Sequence, residues 1–244
     1  FPYTTLFRSM PSHWQDFSFS ADSNQIAAKS IGLSPDNRWL ITTNDDGSGS
    51  TLVAPLGNNA DKVIVDWSPS RQTAALSQTG APQGGERREV LFVGLNGENF
   101  KSTIVEGLDF MPSWSPTGKK LLYSVDNAAS NYNPDLWVVD AYGDDIGSNR
   151  KRLNLNTWAN KCSFGNDDTL FCAVPRDLPQ GSGMSPQVAE GALYDMYKVD
   201  LKTGLKTNLP LGADYHVDTV SYDATANKLF FTDKTRSGIF QVNL

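Results

Sequence analysis

The sequence predicts an all-β protein made of one antiparallel unit that repeats along the chain. Its apolar residues come in short runs, such as KKLLYSV, DLWVVDA, TLFCAV and KLFFTD. Asn, Asp, Gly and Pro, which favour turns, separate these runs. No long stretch has the 3.6-residue periodicity of an amphipathic helix. Short strands at regular spacing between turns are typical of a sandwich, a barrel or a propeller.

One motif returns five times: a strand that ends in an aromatic residue, a polar turn and an apolar strand. The aligned stretches are FSFSADSNQIAAKS, VDWSPSRQTAALS, PSWSPTGKKLLYS, CSFGNDDTLFCAV and the weaker VSYDATANKLFFT. The aligned aromatic residues are Phe19, Trp67, Trp114, Phe164 and Tyr222. Two more strands follow the motif in the second, third and fourth units. Four strands in each unit of about 40 to 50 residues predict a β-propeller of four-stranded antiparallel blades.

The spacing predicts about five blades in a single domain that spans residues 10–244. The last blade is expected to be incomplete, with three strands, and the chain is expected to be truncated at its N-terminus. The predicted blade bounds are 14–57, 62–107, 108–157, 158–212 and 213–244. We expect the five aligned aromatic residues to be blade-core residues, because large flat side chains fill the wedge between twisted sheets.

The first nine residues, FPYTTLFRS, fit none of these patterns. They carry three aromatic residues, one Arg and no acid. These residues can be encoded by a DNA sequence that resembles the end of a short-read sequencing adapter. They also lack the apolar run of a secretory signal peptide. Residues 1–9 are therefore predicted to be a non-native, adapter-derived segment, with the natural sequence beginning near Met10.

The composition argues against nucleic acid and membrane as partners. The net charge is −6, with 27 acidic and 21 basic residues. Nucleic acid and anionic lipid both need clustered Lys and Arg, which an acidic surface does not offer. No window of about 18 apolar residues could cross a bilayer. We expect no nucleic-acid binding and no membrane contact from this segment, while a lost N-terminal anchor stays open as an alternative.

The motifs of common catalytic and cofactor sites are absent from the sequence. There is no Gly-x-Ser-x-Gly elbow, no His-Glu-x-x-His, no Cys-x-x-Cys and no phosphate loop. The only two histidines are His13 and His216, and we expect a structural role for His216. Three acidic turns, at 44–50, 142–149 and 165–169, lack the ligand spacing of a calcium loop. The sequence predicts no catalytic residue, no cofactor and no metal.

A propeller that cleaves glycans would need paired carboxylates. Asp16, Asp66 and Asp218 lie near the first strands of their units and are the candidates. Asp66 directly precedes its aligned aromatic residue, whereas Asp16 and Asp218 lie three and four residues before theirs. These unequal offsets predict that the three aspartates do not occupy equivalent positions.

The two cysteines are predicted to lie opposite each other in a hairpin. If the turn in KCSFGNDDTLFCAV pairs Phe164 with Leu170, Cys162 pairs with Cys172 on the neighbouring antiparallel strand. Opposed residues there have Cα atoms as little as about 4.5 Å apart, which is within the range of a disulfide. The alternatives are a disulfide, typical of an extracytoplasmic compartment, and two buried thiols.

The fourth unit carries an insertion, VPRDLPQGSGMSPQVAEGALYD, between its second and third strands. Long loops on a rigid scaffold are where binding commonly resides. Arg176, Met184 and Tyr194 are the residues with which we expect this loop to contact a partner, which would be an unknown protein or glycan. A solvated decoration without a partner is the alternative.

The stretch WSPTGKKLLYS followed by LWVVDA resembles the WD-like propeller repeat of TolB and of the propeller domains of prolyl-oligopeptidase-type peptidases. The fourth and fifth units, with NTWANKCSFGNDDTLFCAVPRDLP and KLFFTDK, are similar to propeller proteins of uncultured candidate-phylum bacteria. The resemblance covers nearly all of residues 14–244. It implies an extracytoplasmic protein, at the cell surface or in a periplasm-like space. In the candidate-phylum proteins a membrane-spanning segment commonly precedes the propeller.

Two functions follow as expectations. The first is a non-enzymatic TolB-like propeller that serves as a binding or protein-interaction scaffold at the cell surface. The alternative is the propeller portion of a larger, oligopeptidase-like hydrolase whose catalytic domain is absent. Propellers host many unrelated activities, so the fold alone does not choose between them.

Overall fold

A computed structural model describes residues 10–242 and Leu244. The regular structure of these residues consists of β-strands and short 3₁₀ helices, so the predicted all-β class is confirmed. The predicted adapter-derived segment, residues 1–9, lies outside the described residues. The 3₁₀ helices are Pro35–Asn37, Gly57–Lys62, Ala128–Ser130, Gly143–Asp145, Ala159–Lys161 and Pro186–Ala189.

The described strands form five antiparallel sheets, numbered here along the chain. The first sheet contains β1 (Trp14–Phe19), β2 (Gln25–Ile31), β3 (Arg38–Asn44) and β4 (Thr51–Pro55). The second contains β5 (Val63–Val65), β6 (Ala75–Ser77), β7 (Pro82–Gly84), β8 (Arg87–Val93) and β9 (Ser102–Val105). The third contains β10 (Leu108–Trp114), β11 (Lys120–Asp126), β12 (Asp135–Asp140) and β13 (Lys151–Arg152). The fourth contains β14 (Cys162–Asn166), β15 (Thr169–Pro175), β16 (Tyr194–Asp200) and β17 (Lys206–Leu209). The fifth contains β18 (Val217–Asp223), β19 (Lys228–Asp233) and β20 (Ile239–Val242).

The first, third and fourth sheets are four-stranded, with consecutive strands as neighbours, as the repeat predicts. The fifth sheet has the order β18-β19-β20. The second sheet has an additional strand, β7, which pairs with β8. Gly84, Gly85 and Glu86 have φ of +74°, +56° and +64°, and such left-handed turns favour tight hairpins. The sequence did not reveal β7 because its residues are all polar or exposed and lack apolar alternation.

The contacts of the chain divide it into two compact units. They are distinct from the five repeat units of the sequence, and from here on 'first unit' and 'second unit' refer to them. The first unit extends to Pro82 and adds Glu89–Thr103 and Tyr142–Ile146. The second unit consists of Gln83–Arg88, Ile104–Ala141 and Gly147–Leu244. The predicted blade bounds and the single domain stay predictions.

A serine after the aligned aromatic residue closes the turn of the motif. The Oγ atoms of Ser20, Ser68 and Ser115 each accept a hydrogen bond from the backbone N–H five residues later, at 3.0, 3.1 and 3.1 Å. In return, the N–H of each serine donates to the carbonyl oxygen of that later residue. The Trp-Ser-Pro stretches of the sequence are therefore turns whose polar backbone groups are paired locally.

Three aligned aromatic residues pack against the preceding sheet. Trp67 lies in one cluster with Ala27 and Leu40 of the first sheet, and is 4% exposed. Phe164 shares a cluster with residues of the third sheet, and the Tyr222 ring stacks on a ring of the fourth at 5.1 Å. Trp114, the aligned aromatic residue of β10, is only half-buried.

Phe19 differs from the predicted core position, since 58% of its surface is exposed. Trp67, Phe164 and Tyr222 are covered by the sheet before them. No described strand precedes β1, so the described residues offer Phe19 no such cover. The core role predicted for Phe19 is therefore wrong in this structure.

Candidate functional site

The insertion loop (residues 176–193) joins β15 to β16, where the sequence places it. It lies against the β11–β12 loop (residues 127–134). The N–H groups of Gly181 and Gly183 donate to the carbonyl oxygens of Asn131 and Tyr132, at 3.0 and 2.8 Å. The N–H of Ser182 donates to the side-chain oxygen of Asn133, in the same β11–β12 loop, at 3.3 Å. These backbone contacts fix the central part of the insertion loop.

Arg176 fixes the start of the insertion loop. Its guanidinium pairs with the carboxylates of Asp195 and Asp214, at 2.9 and 2.7 Å. The hydrogen bonds that its guanidinium donates to these two carboxylates hold the pKa of Arg176 above its usual range. Its backbone N–H also donates to the carbonyl oxygen of Leu193, at the other end of the loop. The charge that the sequence suggests for partner contact is thus already paired within the protein.

The insertion loop presents two apolar side chains to solvent. Met184 and Val188 are each 54% exposed. Tyr194, which we expected to be exposed beside them, is 3% exposed and packs in the core of the fourth and fifth sheets. It is the first residue of β16, whose alternation turns it inward. The partner-contact role predicted for Tyr194 is therefore wrong.

A buried carboxyl group lies under the tip of the insertion loop. A Cβ atom added to Gly183 would lie 2.5 Å from the Cβ of Asp126 and 2.8 Å from the carbonyl oxygen of Tyr132. Asp126 is 1% exposed. Among the described residues, neither of its carboxyl oxygens accepts a hydrogen bond from a donor group. Only a glycine permits this close approach of the loop to Asp126.

Two more acids face Asp126. Burial, and after it the neighbouring carboxyl groups of Asp109 and Glu86, together raise the pKa of Asp126 to about 6. Glu86 in turn accepts hydrogen bonds from the N–H of Ala128 and the hydroxyl of Tyr132, both at 3.0 Å. The β11–β12 loop, on which the insertion loop lies, is thus held by one member of this carboxyl cluster.

Asp16, Asp109 and Asp218 occupy the same position in their own sheets. Each is the first of two residues that bulge from the first strand, between two residues paired in register with the second strand. The offset from the aromatic residue misled the sequence comparison, because the number of residues between bulge and aromatic varies. Asp16 and Asp218 are thus equivalent to each other and to Asp109 in spite of their unequal offsets, whereas the three candidates Asp16, Asp66 and Asp218 do not share one position, as predicted. Asp66 lies outside the strands.

Two of these bulge residues form ion pairs with buried lysines. The carboxylate of Asp16 lies 2.6 Å from the ammonium of Lys29, and that of Asp218 lies 3.5 Å from Lys161. Lys161 also donates to the carbonyl oxygens of Val217 and Asp218. Burial lowers the pKa of Lys161, against the opposing charge of Asp218. Asp109, by contrast, faces another acid.

A cavity of about 580 Å³ adjoins the ion pair of Asp16 and Lys29 in the first unit. Arg38 and Asp61 complete its charged lining, so two cations face two anions. The guanidinium of Arg38 also donates to the carbonyl oxygen of Gly32 at 3.2 Å. The lining is therefore electrically balanced, and no catalytic arrangement stands out in it.

His216 is held by the protein. Its Nδ1 lies 3.0 Å from the carbonyl oxygen of Ala192, and its backbone N–H donates to Asp233 at 2.6 Å.

In the part of the chain that the structure describes, no three His, Cys, Asp or Glu residues are grouped so as to hold a metal ion. Within those same residues, no helix has the length and apolar character needed to cross a membrane.

The hairpin of β14 and β15 has the register that the sequence predicts. Phe164 pairs with Leu170, and Cys162 pairs with Cys172. The two sulfur atoms are joined in a disulfide, with Cα atoms 4.1 Å apart. Both cysteines lie in the core between the third and fourth sheets.

A comparison with protein-family models finds no match, and a comparison with curated proteins finds none either. Solved propeller structures do match. The β-propeller domain of the Trilobed protease from Pyrococcus furiosus aligns with a TM-score of 0.59 at 12% identity, over 93% of this chain and 67% of that one.

Two further matches have the same fold. TolB from Acinetobacter baumannii aligns with a TM-score of 0.53 at 16% identity, over 90% of this chain and 49% of TolB. The acylaminoacyl peptidase of Pyrococcus horikoshii aligns with a TM-score of 0.60 at 11% identity, over 95% of this chain and 37% of the peptidase. This chain thus spans about half of the TolB chain and just over a third of the peptidase. At these identities the likeness concerns the fold alone, and that fold is a β-propeller.

Proposed function

We propose that the protein is a non-enzymatic propeller that binds a protein partner outside the cytoplasm through its insertion loop. The observation that carries this is the exposure of Met184 and Val188 on the insertion loop. This loop is held in place by hydrogen bonds to the β11–β12 loop and by the ion pairs of Arg176. The disulfide and the likeness to TolB support an extracytoplasmic location, since disulfides persist in oxidising compartments. No cofactor, metal or nucleic acid enters the proposal.

A fixed loop favours binding for a physical reason. Association costs conformational entropy for each side chain and loop that becomes ordered, and a loop that is already ordered avoids part of this cost. Burial of each exposed apolar side chain contributes about 1.5 to 3 kcal/mol at most. The thioether of Met184 is flexible and polarizable, which suits contact with an apolar partner surface.

Selection from a phage-displayed peptide library against the immobilised protein tests the proposal. We expect enrichment of peptides with apolar residues, because Met184 and Val188 would form the centre of the contact. The double substitution Met184→Asp and Val188→Asp should weaken binding of the enriched peptides by at least about tenfold, a loss of about 1.4 kcal/mol. Binding is measured by biolayer interferometry with the intact chain.

Leu205→Asp is the matched control, since Leu205 is 66% exposed and lies on another turn of the same unit. Its affinity for the enriched peptides should equal that of the wild type. Peptides that bind the double variant as well as the wild type would place binding elsewhere. Recognition of a glycan array without any enriched peptide would assign the surface to a glycan partner instead.

The second candidate is the propeller portion of a larger, oligopeptidase-like hydrolase. The alignment with the acylaminoacyl peptidase over just over a third of that chain favours it. The uninterrupted genomic reading frame around this sequence distinguishes the candidates. A hydrolase domain in frame supports the second candidate, whereas a membrane segment and a further blade support a surface scaffold. The same frame tests the predictions of five blades, of N-terminal truncation and of a candidate-phylum source.

A further inference from the structure

We propose that the buried carboxyl group of Asp126, which faces Asp109, is a proton-operated latch that holds the insertion loop closed when Asp126 is protonated and releases it when Asp126 ionises. As regulation of the binding surface, this inference rests on the function proposed above. The movement itself, however, can be measured without any partner. The latch is built from five residues of the second unit: Glu86, Asp109, Asp126, Tyr132 and Gly183.

The geometry places the latch between the two loops. The backbone of Gly183 covers Asp126 so closely that a methyl group would not fit between them. The N–H of Gly183 donates to Tyr132, whose hydroxyl donates to Glu86. Displacement of Gly183 from Asp126 would therefore break one of the three hydrogen bonds that join the insertion loop to the β11–β12 loop.

The charges that face Asp126 explain why it should hold a proton. They come from Asp109 on β10 and from Glu86 in the turn before β8, and both are acidic. The Tyr132 hydroxyl, from the β11–β12 loop, is engaged with Glu86. No donor among the described residues serves the carboxyl oxygens of Asp126. One proton lets one carboxyl group of the pair donate to the other, whereas two adjacent carboxylates repel each other.

Opening of the loop would expose Asp126 to water and return its pKa towards the ordinary value of 3.8. The closed form keeps the proton up to about pH 6, so closure and protonation are linked. The sign follows from this raised pKa: closure is favoured at low pH and is lost as the pH rises through 6. Linkage over about two pKa units amounts to about 100-fold, of which about tenfold falls between pH 5 and pH 8.

Hydrogen exchange followed by mass spectrometry tests the latch in the intact chain. Peptides that cover residues 176–193 are compared at pH 5 and pH 8, after correction for the intrinsic pH dependence of exchange. We expect protection of the N–H groups of Gly181, Ser182 and Gly183 to be about tenfold lower at pH 8, because the loop opens more often. Peptides from β2 in the first unit report global unfolding and should not change.

Asp126→Asn is the decisive variant. Its amide can donate to Asp109 as the protonated acid would, so the loop should stay equally protected at both pH values. Asp109→Asn gives Asp126 a neutral neighbour that can donate to its carboxylate, so the pH difference should become smaller than in the wild type, and this variant serves if the first folds poorly. Asp177→Asn, an exposed acid of the same loop, is the control and should keep the wild-type pH difference.

Two results would overturn the latch. One is equal protection of the wild-type loop at pH 5 and pH 8. The other is a pH difference that persists in the Asp126→Asn variant, or that stays as large as the wild-type difference in the Asp109→Asn variant. Neither depends on the peptide selection, so a failed latch would leave the proposed binding function standing. A working latch beside a failed selection would show a mobile loop whose partner is not a peptide.

Discussion

At the scale of single residues, serines join successive sheets of the repeat. The Oγ of Ser18 accepts a hydrogen bond from the N–H of Trp67 at 2.9 Å, within the first unit. The Oγ of Ser163 accepts from the N–H of Tyr222 at 3.0 Å, within the second. Each serine directly precedes an aligned aromatic residue and binds the next one along the chain. The contact satisfies an N–H that the strand ladder leaves unpaired.

Ser163→Ala should lower the free energy of unfolding by about 1 to 2 kcal/mol. The alanine removes the acceptor and leaves the half-buried N–H of Tyr222 without its partner. Urea unfolding followed by tryptophan fluorescence measures the change. Ser221→Ala, at an exposed position next to Tyr222, should alter stability by less than about 0.5 kcal/mol. Equal effects of the two substitutions would contradict the role given to Ser163.

At the scale of elements, both a disulfide and core packing constrain the β14–β15 hairpin. The disulfide joins opposed residues of the two strands, and the strands also pack in the core with Leu122 and Leu136 of the third sheet. The covalent link and the packing therefore act on the same element. Because Cys162 precedes Phe164 by two residues, both side chains point to the same face of the sheet.

Reduction of the disulfide should lower the free energy of unfolding by about 2 to 3 kcal/mol. The bond closes a loop across a sequence separation of 10 residues, and its loss restores freedom to the unfolded chain. Guanidinium unfolding with and without a phosphine reductant measures the difference. A Cys162→Ala and Cys172→Ala variant should not respond to the reductant. Mass spectrometry that finds two free thiols in the unreduced native protein would contradict the bond itself.

At the scale of the whole molecule, large apolar side chains remain exposed in each unit. Phe17 and Phe19, in β1, are 46% and 58% exposed. Ile239 in β20, the last strand in the order of the fifth sheet, is 74% exposed. Exposed apolar patches promote association, and the unpaired edges of sheets do the same.

Concentration-dependent self-association of the chain is the expected consequence. In sedimentation velocity the weight-average sedimentation coefficient should rise with protein concentration. The double substitution Phe17→Ser and Phe19→Ser should weaken the association by at least about tenfold, since burial of a Phe contributes about 1.5 to 3 kcal/mol. Leu205→Ser is the control for an isolated exposed apolar residue. An identical concentration dependence in the double variant would show that β1 takes no part.

Much of the fold was predictable because local chemistry repeats. The aromatic residue, the polar turn and the apolar strand that follows are local features, and the four-stranded units that they predict are present as the first, third and fourth sheets. Register arithmetic from one turn predicted the pairing of Cys162 with Cys172. The additional strand β7 was missed because it depends on left-handed turn residues and not on an apolar pattern.

The sequence by itself determined the all-β class, the period of the repeat, the position of the insertion loop and the register of the cysteine hairpin, since each depends on residues close together in the chain. Only the tertiary structure decided the burial of Tyr194, the exposure of Phe19, the equivalence of the bulge aspartates and the approach of Gly183 to Asp126. These depend on contacts between residues far apart in the chain, such as those of Gly183 with Asp126 and Tyr132. Burial and bulges are set by which sheet packs on which, and no local pattern carries that information.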